Sequence, residues 1–244
     1  MALMDIGFFS ESLGMAVHCM ALLPHAREGE TLPKRQTLYL LHGYGDSYTS
    51  WIRKTNLERY AAHHNLAVIM PDAQKSAYTD MTHGGKFFTY IADELPGKMR
   101  AFLPLSERRE DTFIAGFSMG GYGALKIALS HSDAFEKVAC YSAAFGYVTR
   151  EYTPYWNSVF GDTPEKREKH RIETYIENNI AGNNRKPPVY MWCGTEDGLL
   201  QSNRDTRDLL ISKGFDVTYS ESEGGHEWRC WDEQFRRSLD FFGI

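Results

Sequence analysis

The run Gly116-Phe117-Ser118-Met119-Gly120 constrains this chain more than any other five residues. It lies where one periodicity gives way to another. Residues 111–117 (DTFIAGF) are rich in β-branched and aromatic side chains and read as a strand, whereas 122–129 (YGALKIAL) has helix-forming composition with an apolar stripe. Ser118 therefore falls on the turn from strand into helix. A serine there stands on a strained backbone with its hydroxyl lifted from the sheet, and a glycine two residues to either side lets the flanking backbones pack closely. A GxSxG pattern also arises by chance, so this reading depends on what the rest of the chain supplies.

A chain of 244 residues is long enough to bury a substantial core as one α/β domain, 1–244. No apolar run is long enough to span a bilayer, and the first fifteen residues, with Asp5 and Glu11 but no basic stretch, do not read as a secretory signal; a cytoplasmic protein is expected. The net charge of −5 and the dispersed basic residues argue against a nucleic-acid or anionic-membrane partner. Cys19, Cys140, Cys193 and Cys230 are far apart and read as buried thiols rather than as a disulfide framework. Zinc on Cys230 and His226 lacks a second close pair to complete a tetrahedral set, so no metal is expected.

The order of elements fixes the class. An antiparallel strand pair over 7–23 turns near Leu13-Gly14 and is closed by Pro24, and a polar stretch at 27–36 leads into 37–41 (TLYLL), a strand apolar on both faces. Helix 56–64, strand 66–70, helix 88–103, strand 112–117, helix 120–130 and strands 137–142 and 188–193 follow, then helix 199–213, strand 216–220 and helix 230–242. Such alternation builds a mostly parallel central sheet flanked by helices. Between 146 and 186 it lapses into an aromatic and charged segment too long for a simple connection, which is read as a helical insertion capping the strand ends over the active site.

A serine hydroxyl needs a base to take its proton, normally a histidine oriented by a carboxylate. In a sheet of this kind the partners follow in the order serine, acid, histidine, at the carboxyl ends of later strands. Strand 188–193 is followed by Gly194-Thr195-Glu196-Asp197-Gly198, and strand 216–220 by a loop containing Gly224-Gly225-His226. Asp197, the last polar residue before the next helix, is preferred over its neighbour Glu196, and a bare helix N-cap is its alternative role. His226 is the only histidine in the later strand-end loops. The oxyanion that acyl transfer generates needs donors: the amide of Met119, at a helix start, and the amide of Tyr44 or of Gly43 in the loop His42-Gly43-Tyr44-Gly45. No cofactor is required. Trp51, Tyr122 and Trp156 are candidate substrate contacts, with Tyr44 and Tyr155 as further aromatics near an acyl or sugar site.

Four blocks resemble the esterase D branch of the α/β-hydrolases and, within it, the tributyrin-esterase group. They are Leu40-Leu41-His42-Gly43-Tyr44-Gly45-Asp46 with Trp51, the elbow extended through Gly121-Tyr122-Gly123-Ala124, Gly194-Thr195-Glu196-Asp197, and Gly225-His226-Glu227-Trp228 with Trp231-Asp232. Tyr78-Thr79-Asp80 and the stretch 90–96 add to the likeness. The resemblance implies an α/β-hydrolase fold and a serine carboxylesterase of short-chain acyl esters, among them acetylated or feruloylated carbohydrates, with S-formylglutathione hydrolysis or another thioesterase or acyltransferase activity as the alternative. It also implies Ser118 as nucleophile, Asp197 as acid, His226 as base, and Tyr44 with Met119 at the oxyanion. A small-molecule ester is the expected partner. Association of the chain with itself is left open.

Overall fold

The computed structural model describes residues 1–25, 34–149 and 152–244. The polar stretch expected at 27–36 thus lies outside the described residues from 27 to 33. Eight strands form one sheet: β1 (Ala2–Ser10), β2 (Met15–Leu23), β3 (Gln36–Leu41), β4 (Leu66–Pro71), β5 (Thr112–Phe117), β6 (Lys137–Tyr141), β7 (Val189–Gly194) and β8 (Val217–Ser222), in the spatial order β1-β2-β4-β3-β5-β6-β7-β8. The β1/β2 hairpin and the β2/β4 pair are antiparallel and every other pairing is parallel. The hairpin extends further towards the N-terminus than its sequence pattern announces, from Ala2 rather than Gly7, because the alternating Met4, Ile6 and Phe8 lay a second apolar row against the core.

The period of two along each central strand divides the interior. Tyr39 and Leu41 of β3, Ile69 of β4, Ile114 of β5 and Met191 of β7 face one cluster; Leu38, Leu40, Val68, Phe113, Phe117 and Trp192 face the other. Burial on both faces accounts for the near-continuous apolar runs in these strands. On the first face lies α5 (Met119–Ser130), buried along almost its whole length; on the second lies α10 (Trp228–Phe242), whose Trp231, Phe235 and Leu239 form an amphipathic seam. A short helix that the sequence pattern did not announce, α1 (Ser50–Lys54), precedes α2 (Leu57–Ala61). It tucks Trp51 into the second cluster.

The helix expected at 88–103 is a composite in which α3 (Phe87–Thr89) runs through a π-helical stretch (Tyr90–Glu94) into α4 (Leu95–Phe102). Glu94 there accepts hydrogen bonds from Ser10 Oγ (2.7 Å) and from the backbone N–H groups of Glu11 (2.9 Å) and Ser12 (3.1 Å), tying down the β1/β2 turn. Burial alone would raise the Glu94 carboxyl, but these donors prevail and hold it at about 2.

The segment 146–186, of which 150 and 151 lie outside the described residues, is helical: α6 (Pro154–Phe160), α7 (Pro164–Glu168) and α8 (Ile172–Ala181). Thr153 and Thr163 cap α6 and α7 by accepting from the N–H groups of Trp156 and Lys166. Asn179 of α8 donates to Leu129 O at the end of α5, whereas α6 reaches the strand-end loops through His83 N–H to Ser158 O (2.8 Å) and the Tyr155 hydroxyl to Lys75 O. After β7, α9 (Leu200–Ser212) completes the helices.

Candidate active site

Ser118 stands between β5 and α5 with φ +54° and ψ −121°, a conformation few residues other than glycine adopt. Its neighbours show why glycines flank it. A Cβ on Gly116 would lie 2.4 Å from Gly120 O, and one on Gly120 would lie 2.5 Å from Leu41 O and 2.7 Å from His42 O. The turn is held from below by Ser118 N–H to Tyr141 O (2.9 Å) and by Ala144 N–H to Ser118 O (2.9 Å).

Two later loops bring the partners. His226 Nδ1 lies 2.8 Å from Asp197 Oδ2 and Nε2 lies 2.9 Å from Ser118 Oγ. Because a carboxylate only accepts, Nδ1 carries the proton and Nε2 turns its lone pair to the serine hydroxyl. Asp197 is buried, and its second oxygen accepts from Leu199 N–H (2.9 Å). Burial pushes its carboxyl up, the bonds from His226 and Leu199 pull it down, and the net position is below the ordinary carboxylate value. Glu196, the alternative acid, is exposed, and its backbone N–H instead donates to Gly224 O, joining the two loops. The imidazole meets the edge of Trp231, ring centres 4.8 Å apart, and Trp231 itself stacks on Phe117 at 4.2 Å.

The loop after β3 is locked from three sides. His42, buried, accepts the Ala73 N–H at Nε2 (3.0 Å), which requires its proton to be on Nδ1; that Nδ1–H donates to Gly43 O (2.9 Å). Asp46 N–H also donates to Gly43 O (3.1 Å). With that carbonyl fixed, the planar peptide directs the Tyr44 N–H to the opposite side. Met119, as the first residue of α5, has no carbonyl one turn earlier in the helix to take its own N–H.

Behind this loop lies a residue to which sequence reasoning gave no role. Tyr78, fully buried, donates its hydroxyl to His42 O (2.9 Å), and it sits with Ala77 at positive φ (+53° and +52°) although neither is glycine. Lys126 of α5, also fully buried, fastens this segment by donating to Ala77 O (2.8 Å) and Thr79 Oγ1 (2.6 Å), with Tyr122 beneath its ammonium at 4.6 Å. Desolvation pushes the Lys126 ammonium well below its ordinary value, Asp80 opposing. The only signals in the sequence were the Tyr78-Thr79-Asp80 block and a lysine within an apolar helix stripe.

The three aromatic candidates separate. Trp156 is half-buried beside the loop, its ring 5.6 Å from Tyr44 and 5.0 Å from Tyr147. Trp51 and Tyr122 correct the expectation. Trp51 is 1 % exposed, donates its indole N–H to Leu41 O (3.1 Å) and packs on Phe117 and Trp228, so it supports the sheet and offers no surface to a ligand. Tyr122 is equally enclosed, its hydroxyl donating to His170 O (2.5 Å) under α8. Both face inward because the layers on either side of the sheet close over them. Among the described residues, no three His, Cys, Asp or Glu side chains converge as a metal site, and no helix is long and apolar enough to cross a membrane.

The comparisons with known proteins agree with this architecture. The chain is 31% identical to an acetyl esterase of Caldicellulosiruptor saccharolyticus over 99% of its own length and 98% of that protein's. Among solved structures it is similar to FphF, a fluorophosphonate-binding serine hydrolase of Staphylococcus aureus, with TM-score 0.92, 31% identity and coverage of 99% and 98% of the two chains. It is likewise similar to the S-formylglutathione hydrolase FrmB of Staphylococcus aureus, with TM-score 0.88, 31% identity and the same coverage. A family model described as "Putative esterase" matches residues 10–242. With Ser118, His226 and Asp197 joined on an eight-stranded α/β sheet and a family match over almost its entire length, the chain belongs to this esterase family of α/β-hydrolases.

Proposed function

We propose that the protein is a serine carboxylesterase in which Ser118 is the nucleophile, His226 the base and Asp197 the acid. The observation that carries this reading is the chain of contacts from Ser118 Oγ through His226 to Asp197, at 2.9 and 2.8 Å, on a strained strand-to-helix turn. His226 Nε2 takes the serine proton as Oγ attacks the ester carbonyl. The tetrahedral oxyanion is received by the amides of Met119 and Tyr44, the latter held by the locked Gly43 carbonyl. Collapse expels the alcohol, which takes the proton from His226 and leaves an acyl-serine. A water then gives a proton to His226 and attacks the acyl carbon, and His226 passes that proton to Ser118 Oγ as the acid leaves, restoring both residues.

The substrate class is a short-chain acyl ester of a polar alcohol, such as an acetylated carbohydrate. The acetyl esterase relative supports the acyl part. The alcohol is supported by a cavity of about 430 Å³ beside the oxyanion loop, where Asp46, Asp72 and Lys75 meet Met81, Phe87 and Tyr155. The segment 146–186 caps the site within a single domain, a role supported by the packing of Tyr147, Tyr155 and Trp156 around Tyr44. The four free, buried cysteines fit a reducing, cytoplasmic setting. Thioester hydrolysis is a second reading, favoured by the likeness to FrmB.

Purified protein is expected to hydrolyse p-nitrophenyl acetate and butyrate, and Ser118→Ala to abolish turnover. Activity surviving that substitution overturns the assignment. An acyl-length series run beside methyl ferulate, acetylated xylan oligomers and S-formylglutathione decides between the substrate classes.

A further inference from the structure

The two edges of the sheet are built differently. At one edge, β8 carries Glu221, bonded by Arg204 (2.7 and 2.6 Å), and Tyr219, covered by the Arg207 guanidinium at 4.5 Å; charged side chains of this kind discourage another strand from adding. At the other edge, β1 has nine residues, no proline, lysine or arginine, and pairs with β2 in unbroken register from Ala2↔Leu23 to Ser10↔Met15. Its outer face exposes Leu3 (48%) and Phe9 (57%), with Met15 (42%) at the end of the hairpin. Asp5 is the one charged side chain on that face, and among the described residues no proline, lysine or bulge interrupts the edge.

We propose that β1 pairs antiparallel with β1 of a second copy of this chain, joining two eight-stranded sheets into one across a twofold axis. The sequence of the strand fits this occupant. An axis normal to the sheet keeps each face on its own side, so paired residue numbers must sum to an even number, and a sum of twelve uses the whole strand. Ile6 then lies opposite itself, Leu3 opposite Phe9 and Met4 opposite Phe8. The exposed apolar residues meet each other twice, once on each side of the axis.

The same register keeps the two Asp5 side chains from facing each other directly. Asp5, the only charged residue of β1, falls opposite Gly7 of the second copy and not opposite the second Asp5. Gly7 is the one position of the strand without a side chain, and the His18 imidazole lies across it, Cε1 3.2 Å from where a Cβ would stand. Within one copy His18 Nδ1 already meets Asp5 Oδ1 at 2.8 Å, and Tyr48 donates to Asp5 Oδ2 at 3.3 Å. In the dimer the second copy's Asp5 falls over Gly7, the position at which no side chain opposes it. A glycine inside a strand weakens it, and close approach by another chain is a common reason for its presence.

This inference rests on the sheet edge and is independent of the esterase reading. Sedimentation equilibrium of the full chain at micromolar concentrations is expected to give twice the monomer mass, and Leu3→Lys with Phe9→Lys to raise the dissociation constant about 100-fold or more. Ester hydrolysis is expected to be unchanged in that variant, because β1 lies four strands, about 19 Å, from β5. A variant carrying both Leu3→Cys and Phe9→Cys is expected to cross-link between copies on oxidation, and either substitution alone is not. A monomeric wild-type protein, a dimer indifferent to the lysines, or cross-linking by either cysteine alone would each overturn the pairing.

Discussion

At the scale of single residues, the site depends on carbonyls and lone pairs held in fixed directions. His42 shows how: accepting from Ala73 at one nitrogen commits the other to donate to Gly43, and the peptide that carries the Tyr44 amide follows. Tyr78 braces the preceding carbonyl of the same loop. Tyr78→Phe removes that hydroxyl with little change in volume, and kcat on p-nitrophenyl acetate is expected to fall about 10-fold with KM nearly constant, since the loss is felt where the oxyanion forms. Steady-state kinetics beside a thermal melt check this, a fall in KM-linked binding alone being the contrary result. Asp197→Asn is expected to lower kcat by about 10⁴-fold, because an amide presents a donor as readily as an acceptor and no longer enforces the Nδ1–H tautomer of His226. Single-turnover acylation with a chromogenic ester measures it.

At the scale of elements, the hairpin, the composite helix and the nucleophile helix each depend on one buried or half-buried polar side chain. Glu94 joins the β1/β2 turn to the π-helical stretch, and its carboxyl is held at about 2. A carboxyl lowered on folding stabilises the fold fully above its unfolded value, about 4.3, and loses that contribution as pH falls through the folded one. Glu94→Gln should therefore melt lower than wild type at pH 7, with the gap closing as pH approaches 2 in parallel melts; a constant gap would refute the link. The strands, α5, α9 and α10 were legible because their patterns are long and regular. The π-helical insertion and α1 were not, since the first differs from an α-helix by one hydrogen-bond register and the second is only five residues long.

At the scale of the whole molecule, two apolar clusters clamp the sheet, and the loops bearing Ser118, Asp197 and His226 emerge at its carboxyl edge. Trp51 shows the consequence. Placed under Leu41 and against Phe117, it supports both the oxyanion loop and the elbow, so Trp51→Ala is expected to destabilise by about 3–5 kcal/mol and lower the melting temperature by about 10 °C. Calorimetry checks this, and a change confined to KM would restore Trp51 to the substrate wall. The sequence by itself determined the class of fold and singled out Ser118, Asp197 and His226, which the structure brings together, because a strained turn, a strand-end carboxylate and a strand-end histidine each leave a local signature in a fixed order. Which aromatics face a ligand and which face the core, and how Lys126 and Tyr78 reach the oxyanion loop, only the tertiary structure decided: contacts between residues 36 to 49 positions apart leave no periodicity behind. The elbow at Ser118 belongs to both accounts, announced by its glycines and made usable by the chain that closes around it.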